Sequence, residues 1–477
     1  MKNTTNNPIT SLEDLKVKDT KKLFRKTKTS FQISSNGIAN NLKNKGYRNH
    51  NEQTLKIKYN IATVKSPNDI FNEVLKDIKT ENNDLLTDAF YKQGETILIK
   101  NKAVISGFPE TTLTPYRDTK DKGMLFFING FIVITANEIS FYQYSELTKI
   151  IPNNFIYKEN IINGYWNEKS VSKDSQFYKF LTLITDDQEH LKSLLSALGF
   201  LTNTHKDESN AKCVVFSDAN SQITNSSQGR GGKNLAINGV KELRDIATLN
   251  GKQCDLKEKF VFQQIKENTE IVLLNDVKPN FDFEDLYPVI DGTMPIERKY
   301  ADVKEVDYEH SPKFIVTTNR PIKSDSGSSR DRQHLIIINN YFNEHHKPIH
   351  VFKNNFFGKN WSKEEYSKFY KVMAECMQLF LKNGLTKYIN PKLKTELLIN
   401  STSNKFVEVI DSLIDLDKWY LLSEVANQTE VKDSRTTSKF LELYANSNGL
   451  EMTKEKRTGN KTYFLLKNRD LLSDLSN

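Results

Sequence analysis

Four short strand-like runs constrain this chain more than any other feature. They are Cys213–Phe216, Ile271–Leu274, Phe314–Thr317 and Leu335–Ile338. Each is an unbroken run rather than an alternation, the pattern of a strand buried on both faces. Helical patterning fills the intervals between them. Such an alternation predicts an α/β fold with a mostly parallel sheet and covering helices. Two of the runs, Ile271–Leu274 and Phe314–Thr317, lead directly into polar residues, which places those residues at strand ends.

The first run is followed by Ser227-Gln228-Gly229-Arg230-Gly231-Gly232-Lys233-Asn234 and then by a helix-like stretch, Leu235–Ile246. Strand, glycine loop, lysine and helix form the context of a phosphate-binding P-loop. Glycines let main-chain N–H groups close around phosphate oxygens. The helix N-terminus adds the positive end of a dipole. In this reading Gly229, Arg230, Gly231, Gly232, Lys233 and Asn234 hold a nucleotide. Lys233 neutralises the β- and γ-phosphates, and Asn234 offers an amide oxygen near Mg²⁺. Two positions depart from the consensus: Ser227 replaces the first glycine, and Asn234 replaces the usual Ser or Thr. A glycine-rich surface turn is the competing reading.

The second run ends in Asn275-Asp276, where a carboxylate is placed to serve Mg²⁺ or to orient an attacking water. The third ends in Thr318-Asn319, and an amide there can sense a γ-phosphate. Polar turns after strands are the bland alternative at both places. The spacing argues against it: Lys233 and Asp276 are 43 residues apart, as are Asp276 and Asn319. Each interval accommodates one helical crossover and one strand.

From about Phe126 to Leu385 the chain resembles the superfamily III helicases, particularly the helicase portion of phage and plasmid primase-helicase proteins. The resemblance is carried by Gly229–Asn234, Ile271–Asp276, Asp291–Lys299 and Lys313–Asn319, in that order. It implies an AAA+-like P-loop NTPase core that uses ATP and Mg²⁺. It implies a homo-oligomeric ring, hexameric in the family, acting on single-stranded DNA, with RNA as the alternative and replication proteins as further partners. The segment Asp291–Lys299 then looks like a channel-facing hairpin whose Arg298 and Lys299 grip the nucleic-acid backbone, a salt-sensitive, sequence-blind contact. Arg332, with Arg330 as runner-up, looks like an arginine finger completing a neighbour's site. The catalytic set is thus Lys233, Asp276, Asn319 and Arg332, with Asn234 and Asp276 at the metal. The expected function is that of an ATP-dependent replicative helicase of a virus, phage or mobile element, in the host cytoplasm. Asn275 stands where the family has a carboxylate, so with Ser227 and Asn234 three positions are weakened. Two rivals stay open. One is an AAA+ ATPase that remodels protein or moves nucleic acid without unwinding it. The other is a DNA-binding replication initiator with a weakened ATP site.

The rest of the sequence divides around this core. With 477 residues, several domains are expected. Residues 1–58 read as a basic, partly flexible arm and 59–204 as a mixed α/β adaptor with Ile97–Ile99 a strand and Phe177–Phe200 helical. Residues 205–395 read as the ATPase and 396–477 as a winged helix. In the last of these, Arg435, Lys439, Lys456, Arg457 and Lys461 are the candidate DNA contacts. The net charge of +8 is compatible with a polyanionic partner. The cysteines Cys213, Cys254 and Cys376 are scattered, which fits neither a disulfide framework nor a zinc site. No apolar run reaches membrane-spanning length. Glu344-His345-His346 with His350 lacks metal-ligand spacing. Trp361, Tyr366, Phe369 and Tyr370 read as packing beside a helix. No primase-like acidic pair with a nearby His stands out in residues 1–200.

Overall fold

The structure is a computed structural model. It describes residues 23–113, 116–152, 156–157, 171–219, 231–266, 268–278, 281–299, 302–319, 327–388, 394–395, 398–399, 401–457, 459 and 461–468. Residues 1–22 of the expected arm, Ser227, Gly229 and Arg230 lie outside these. The chain divides into two compact units, one of residues 1–118, 124–133 and 139–161, the other of 119–123, 134–138 and 162–477.

The first unit is built from short elements. They are β1 (Phe24–Lys26), β2 (Phe31–Ile33), α1 (Ser35–Asn44), β3 (Tyr47–His50), β4 (Gln53–Lys58), β5 (Ile61–Val64), α2 (Pro67–Lys79) and α3 (Asp84–Glu95). Within the segment expected to be a basic, partly flexible arm, residues from Leu23 to Lys58 form the first of these folded elements. Its few apolar residues suffice because they converge: Leu23, Phe31, Ile33, Ile38, Leu42 and Tyr47 share one core with Ile70, Val74 and Phe90. Helix α2 is started by a reciprocal capping box between Ser66 and Asp69, and it buries Ile70, Val74 and Ile78 at helical spacing. The strand expected at Ile97–Ile99 is instead a π-helical turn, Thr96–Lys100, that continues α3. The remaining strands are β6 (Lys122–Phe127), β7 (Gly130–Thr135), β8 (Ile139–Tyr142), β9 (Ile151–Pro152) and β10 (Ile156–Tyr157). They complete two four-stranded sheets, ordered β3-β4-β5-β9 and β10-β6-β7-β8.

The second unit contains α4 (Gln176–Leu183) and α5 (Gln188–Thr202) and is centred on a five-stranded sheet. The strands are β11 (Cys213–Asp218), β12 (Ile246–Asn250), β13 (Ile271–Asn275), β16 (Lys313–Thr317) and β17 (Gln333–Ile338). Their order is β12-β13-β16-β11-β17, and every pairing is parallel. All residues of β11 are buried, the mark of a central strand covered on both faces. One face packs Cys213, Val215, Val272, Leu274, Phe314 and Val316 against Phe262, Phe283 and Leu286. Helix α6 (Lys233–Lys241) is shorter than the helix read from Leu235 to Ile246, because Ile246 opens the edge strand β12. Between β13 and β16, β14 (Met294–Ile296) and β15 (Lys304–Val306) form an antiparallel pair. Helix α7 (Gly327–Arg332) leads into β17, and α8 (Lys363–Asn383) stops at Gly384, whose φ of +67° suits glycine. Helices α5 and α8 pack backbone to backbone: a Cβ on Gly199 would sit 1.9 Å from the Cys376 carbonyl oxygen.

The C-terminal part contains α9 (Asn404–Leu413), β18 (Trp419–Leu421), α10 (Leu422–Gln428), α11 (Ser434–Asn448), β19 (Leu450–Arg457) and β20 (Lys461–Asn468). The sheet order is β18-β20-β19, all antiparallel. Phe406, Ile410, Leu441, Phe464 and Leu466 form its core. A short strand, Trp419–Leu421, and the helix α10 lie between α9 and α11. Among the described residues no helix is long and apolar enough to cross a membrane.

Candidate functional site

The ends of three strands and the start of α6 meet at the carboxyl edge of the parallel sheet. The strand order makes this happen. After β11 the chain crosses to the far edge at β12 and returns through β13 and β16 toward β11. This brings the ends of β13, β16 and β11 side by side with the helix that follows β11. In open α/β sheets such carboxyl edges are where ligands bind.

Gly232 is the residue before α6 and has a φ of +108°, which a side chain disfavours. Gly231 is held close to β11: a Cβ there would lie 2.8 Å from Asp218 Oδ1. A side chain is thus disfavoured at both positions, by the backbone angle at Gly232 and by the neighbouring carboxylate at Gly231. Lys233, the first residue of α6, is buried at 8% exposure and points back over the strand ends. Its ammonium donates to the Asp218 carboxylate, to the Thr318 carbonyl oxygen at 3.0 Å and to Asn319 Oδ1 at 2.5 Å. Asn319 Nδ2 in turn donates to Asp276 Oδ1 at 3.0 Å. Lys233, Asn319 and Asp276, 86 residues of sequence apart at their extremes, are thus joined by consecutive hydrogen bonds.

Asp276 sits just beyond β13 in a left-handed conformation, φ 57°, which Asp tolerates better than most residues. Its N–H donates to Thr317 Oγ1 at 2.8 Å, and that hydroxyl donates to Asn275 Oδ1 at 3.1 Å. The amide of Asn275 thus has a local structural task. Beside these groups opens a cleft of about 280 Å³, lined by Gly231 to Leu235, by Asn275 and Asp276, and by Thr317 and Asn319. Asn234 lines this cleft.

Two members of the cluster were not anticipated. Asp218 ends β11 and is 1% exposed. Burial holds its carboxyl above the ordinary carboxylate value, against the opposing pull of the Lys233 ammonium. The apolar run ends at Phe216, so this carboxylate lies outside the sequence motif. Lys252 follows β12 and pairs with Asp276 Oδ2 at 2.6 Å from an exposed position. The helix expected over Leu235–Ile246 takes in only the first residue of β12, and the sequence signals no strand there to place Lys252.

The other expected residues lie elsewhere. Arg332, at the end of α7, donates through Nε to Asp291 Oδ2 at 2.8 Å, and its guanidinium lies 4.6 Å from the Tyr287 ring centroid. It is thereby tied to the first residue of the 291–299 segment. Arg298 and Lys299 are exposed just after β14, and the Arg298 guanidinium donates to the Gln263 and Ile265 carbonyl oxygens at 3.3 and 2.9 Å. Arg435 and Lys439 are exposed on α11, and Lys456 and Lys461 are exposed on the β19–β20 hairpin. Arg457 is engaged differently, with its guanidinium 4.7 Å from the Trp419 ring, 4.9 Å from the Tyr463 ring and paired to Glu455. Among the described residues no group of three or more His, Cys, Asp or Glu is arranged to hold a metal ion. Trp361, Phe369 and Tyr370 are buried, as expected of packing residues.

No family model matches this chain, and no curated protein does. Weak similarity is found to solved structures, among them the following three. The apo form of the NrS-1 C-terminal region matches at 15% identity and a TM-score of 0.34, over 72% of this chain and 96% of that one. JCV helicase with a bound small molecule matches at 14% identity and 0.21, over 44% of this chain and 60% of that one. Drosophila ORC bound to DNA matches at 8% identity and 0.20, over 61% and 89%.

Proposed function

We propose that this chain is an ATP-driven nucleic-acid motor, a replicative helicase of a virus, phage or mobile element. The observation that carries the reading is the hydrogen-bonded relay Lys233–Asn319–Asp276 beside an open cleft at the carboxyl edge of a parallel sheet. A lysine ammonium, an amide and a carboxylate from three separate chain segments are groups that recur at phosphoryl-transfer sites.

In this reading the relay is a resting arrangement. Lys233 is held by Asp218, Asn319 and the Thr318 carbonyl until phosphate oxygens compete for its protons. Asn319 then has its amide free to orient a water or a phosphoryl oxygen. Asp276 holds a proton acceptor at the same place. The donor set fits Mg²⁺, a hard cation commonly held by one or two carboxylates together with substrate phosphates: Asp276 would hold it, with the Asn234 amide beside it. When bound, the ion would neutralise charge on the transferring phosphoryl group. Arg332 would serve a neighbouring copy in a homo-oligomeric ring after exchanging Asp291 for that copy's phosphates. The AAA+-like core would drive the 291–299 segment along single-stranded DNA or RNA, and α9–α11 with the β19–β20 hairpin would act as a winged helix on DNA.

The test is ATPase activity and forked-duplex unwinding with and without single-stranded DNA, for the wild type and Lys233→Ala. DNA-stimulated hydrolysis and unwinding that both vanish in the variant support the motor. Hydrolysis without unwinding would leave the remodelling or translocating ATPase. A replication initiator with a weakened ATP site is the second reading, favoured by the commitment of the Asn275 amide to Thr317. DNA binding without ATP hydrolysis in the wild type, with that function unchanged in Lys233→Ala, would favour it.

A further inference from the structure

We propose that the aromatic turn at residues 341–346 binds the base of the nucleoside triphosphate whose phosphates the Gly231–Lys233 segment holds. The inference rests on the nucleotide-site reading above and adds a subsite to it. Strands β11 and β17 run in register as far as Asp218 opposite Ile338. The chain beyond Ile338 therefore emerges at the same sheet edge as Lys233 and its partners. It stays close to the glycines: a Cβ on Gly231 would lie 3.5 Å from the Asn339 carbonyl oxygen and 3.6 Å from Ile338 Cγ2.

Beneath the second glycine begins a file of aromatic rings. A Cβ on Gly232 would meet the Phe180 ring at 3.1 Å. Phe180 stacks with Phe342 at 5.8 Å and 25° between planes, and Phe342 stacks with His346 at 5.8 Å and 14°. Tyr341 stands edge-on to both, at 4.9 Å from Phe342 and 5.1 Å from His346. The file starts under the phosphate segment and ends at the surface: Phe342 is 2% exposed, whereas Tyr341 is 41% exposed.

The turn is built to stay in place. Asn339 Oδ1 accepts from the Tyr341 N–H at 3.0 Å. Asn343 Oδ1 accepts from the His345 and His346 N–H groups at 2.9 and 3.0 Å. The Asn343 N–H donates to the His346 carbonyl at 2.9 Å. A ring already fixed loses little freedom when a base stacks on it. Stacking serves any base, and the imidazole of His346 adds a polar edge that can donate to or accept from a purine. The histidine-rich run that has no metal-ligand spacing thus gains a use through His346.

The experiment compares ATP with inorganic tripolyphosphate, which has the phosphates and no base, by calorimetry on the full chain. Tyr341→Ala should weaken ATP binding about tenfold, the scale of one base–aromatic stack. It should leave tripolyphosphate affinity within about twofold. His346→Ala should show the same selectivity with a smaller loss, and Tyr341→Trp should retain ATP affinity. Unchanged ATP affinity in both alanine variants would overturn the proposal. So would an equal loss for tripolyphosphate, or a loss of single-stranded DNA binding with ATP affinity intact. Failure of the wild type to bind either ligand would instead remove the nucleotide-site reading, and the subsite with it.

Discussion

The parallel sheet buries a lysine at each of its two edges, and the two could hardly be employed more differently. At the amino edge Lys313, 5% exposed, donates to the Phe200 and Asn203 carbonyl oxygens at 2.7 Å each and lies 4.0 Å over the Phe200 ring. It closes the C-terminus of α5, where helix carbonyls lack partners and the dipole favours a cation. Arg244 assists by donating to the Thr202 carbonyl. At the carboxyl edge Lys233 donates mainly to side chains, beside a cleft and two glycines. Burial is nearly the same at both positions. What separates them is that main-chain carbonyls cannot leave Lys313, whereas a stronger anion can take Lys233 from its side-chain partners.

Substitutions can break this contrast. The largest effect is expected for Lys233→Ala, which should lower ATP turnover by about a hundredfold or more, the scale of losing one charge-stabilising donor at a reacting phosphoryl group. Urea unfolding should still show a cooperative transition; a variant that fails to fold would make Lys233 a structural residue like Lys313. Next, Lys313→Met should cost about 3 kcal/mol in urea unfolding, since two charge-assisted hydrogen bonds are lost from a buried place. ATP turnover per folded molecule should be retained, and a parallel loss of turnover would erase the difference between the edges.

The amino edge holds a second buried group that sharpens the contrast through pH. His334 on β17 is 3% exposed, and burial, with Lys387 and Lys212 adding to it, pushes its imidazole down to about 4. The unfolded chain titrates near the ordinary value of about 6.5. Between these values the unfolded state binds the extra proton, so stability falls as the pH drops from about 6.5 toward 4. By pH 5 the loss attributable to this residue should reach about 2 kcal/mol. His334→Gln should flatten that part of the stability profile, and an unchanged slope would place the titration elsewhere. The smallest effect belongs to Lys252→Ala. Its side chain is 64% exposed, so its pair with Asp276 is worth at most about 1 kcal/mol, read as a few-fold change in KM for ATP.

Much of the carboxyl edge was legible because its chemistry follows apolar runs. Lys233, Asp276 and Asn319 each adjoin a segment that can only be a buried strand or the helix after a glycine pair. Asp218 was not legible, since a carboxylate at the end of a buried strand is recognised only once a cation is seen against it. Lys252 depended on β12, whose Ile246-Ala-Thr-Leu-Asn sequence pairs on one side only and so carries a weak strand signal. The turn at Thr96–Lys100 misled in the opposite direction, because its β-branched run imitates a strand while continuing a helix. The first unit was the least legible. Helix α1 buries just Ile38 and Leu42, too few for a periodic pattern among its asparagines.

The contact at Gly199 bears on how this protein is made. The glycine and Cys376, whose carbonyl it touches, are separated by 177 positions, with all five strands of the parallel sheet encoded between them. A ribosome adding about 5–20 residues per second needs on the order of ten to thirty-five seconds to travel from one to the other. Throughout that interval the stripe of α5 that carries Gly199 and Phe200, the latter packed edge-on against Phe380 in the finished fold, has emerged without the helix that will cover it. The nascent chain must shield this greasy stripe in some other way, which makes the delay before residue 376 the period when a chaperone matters most to its yield.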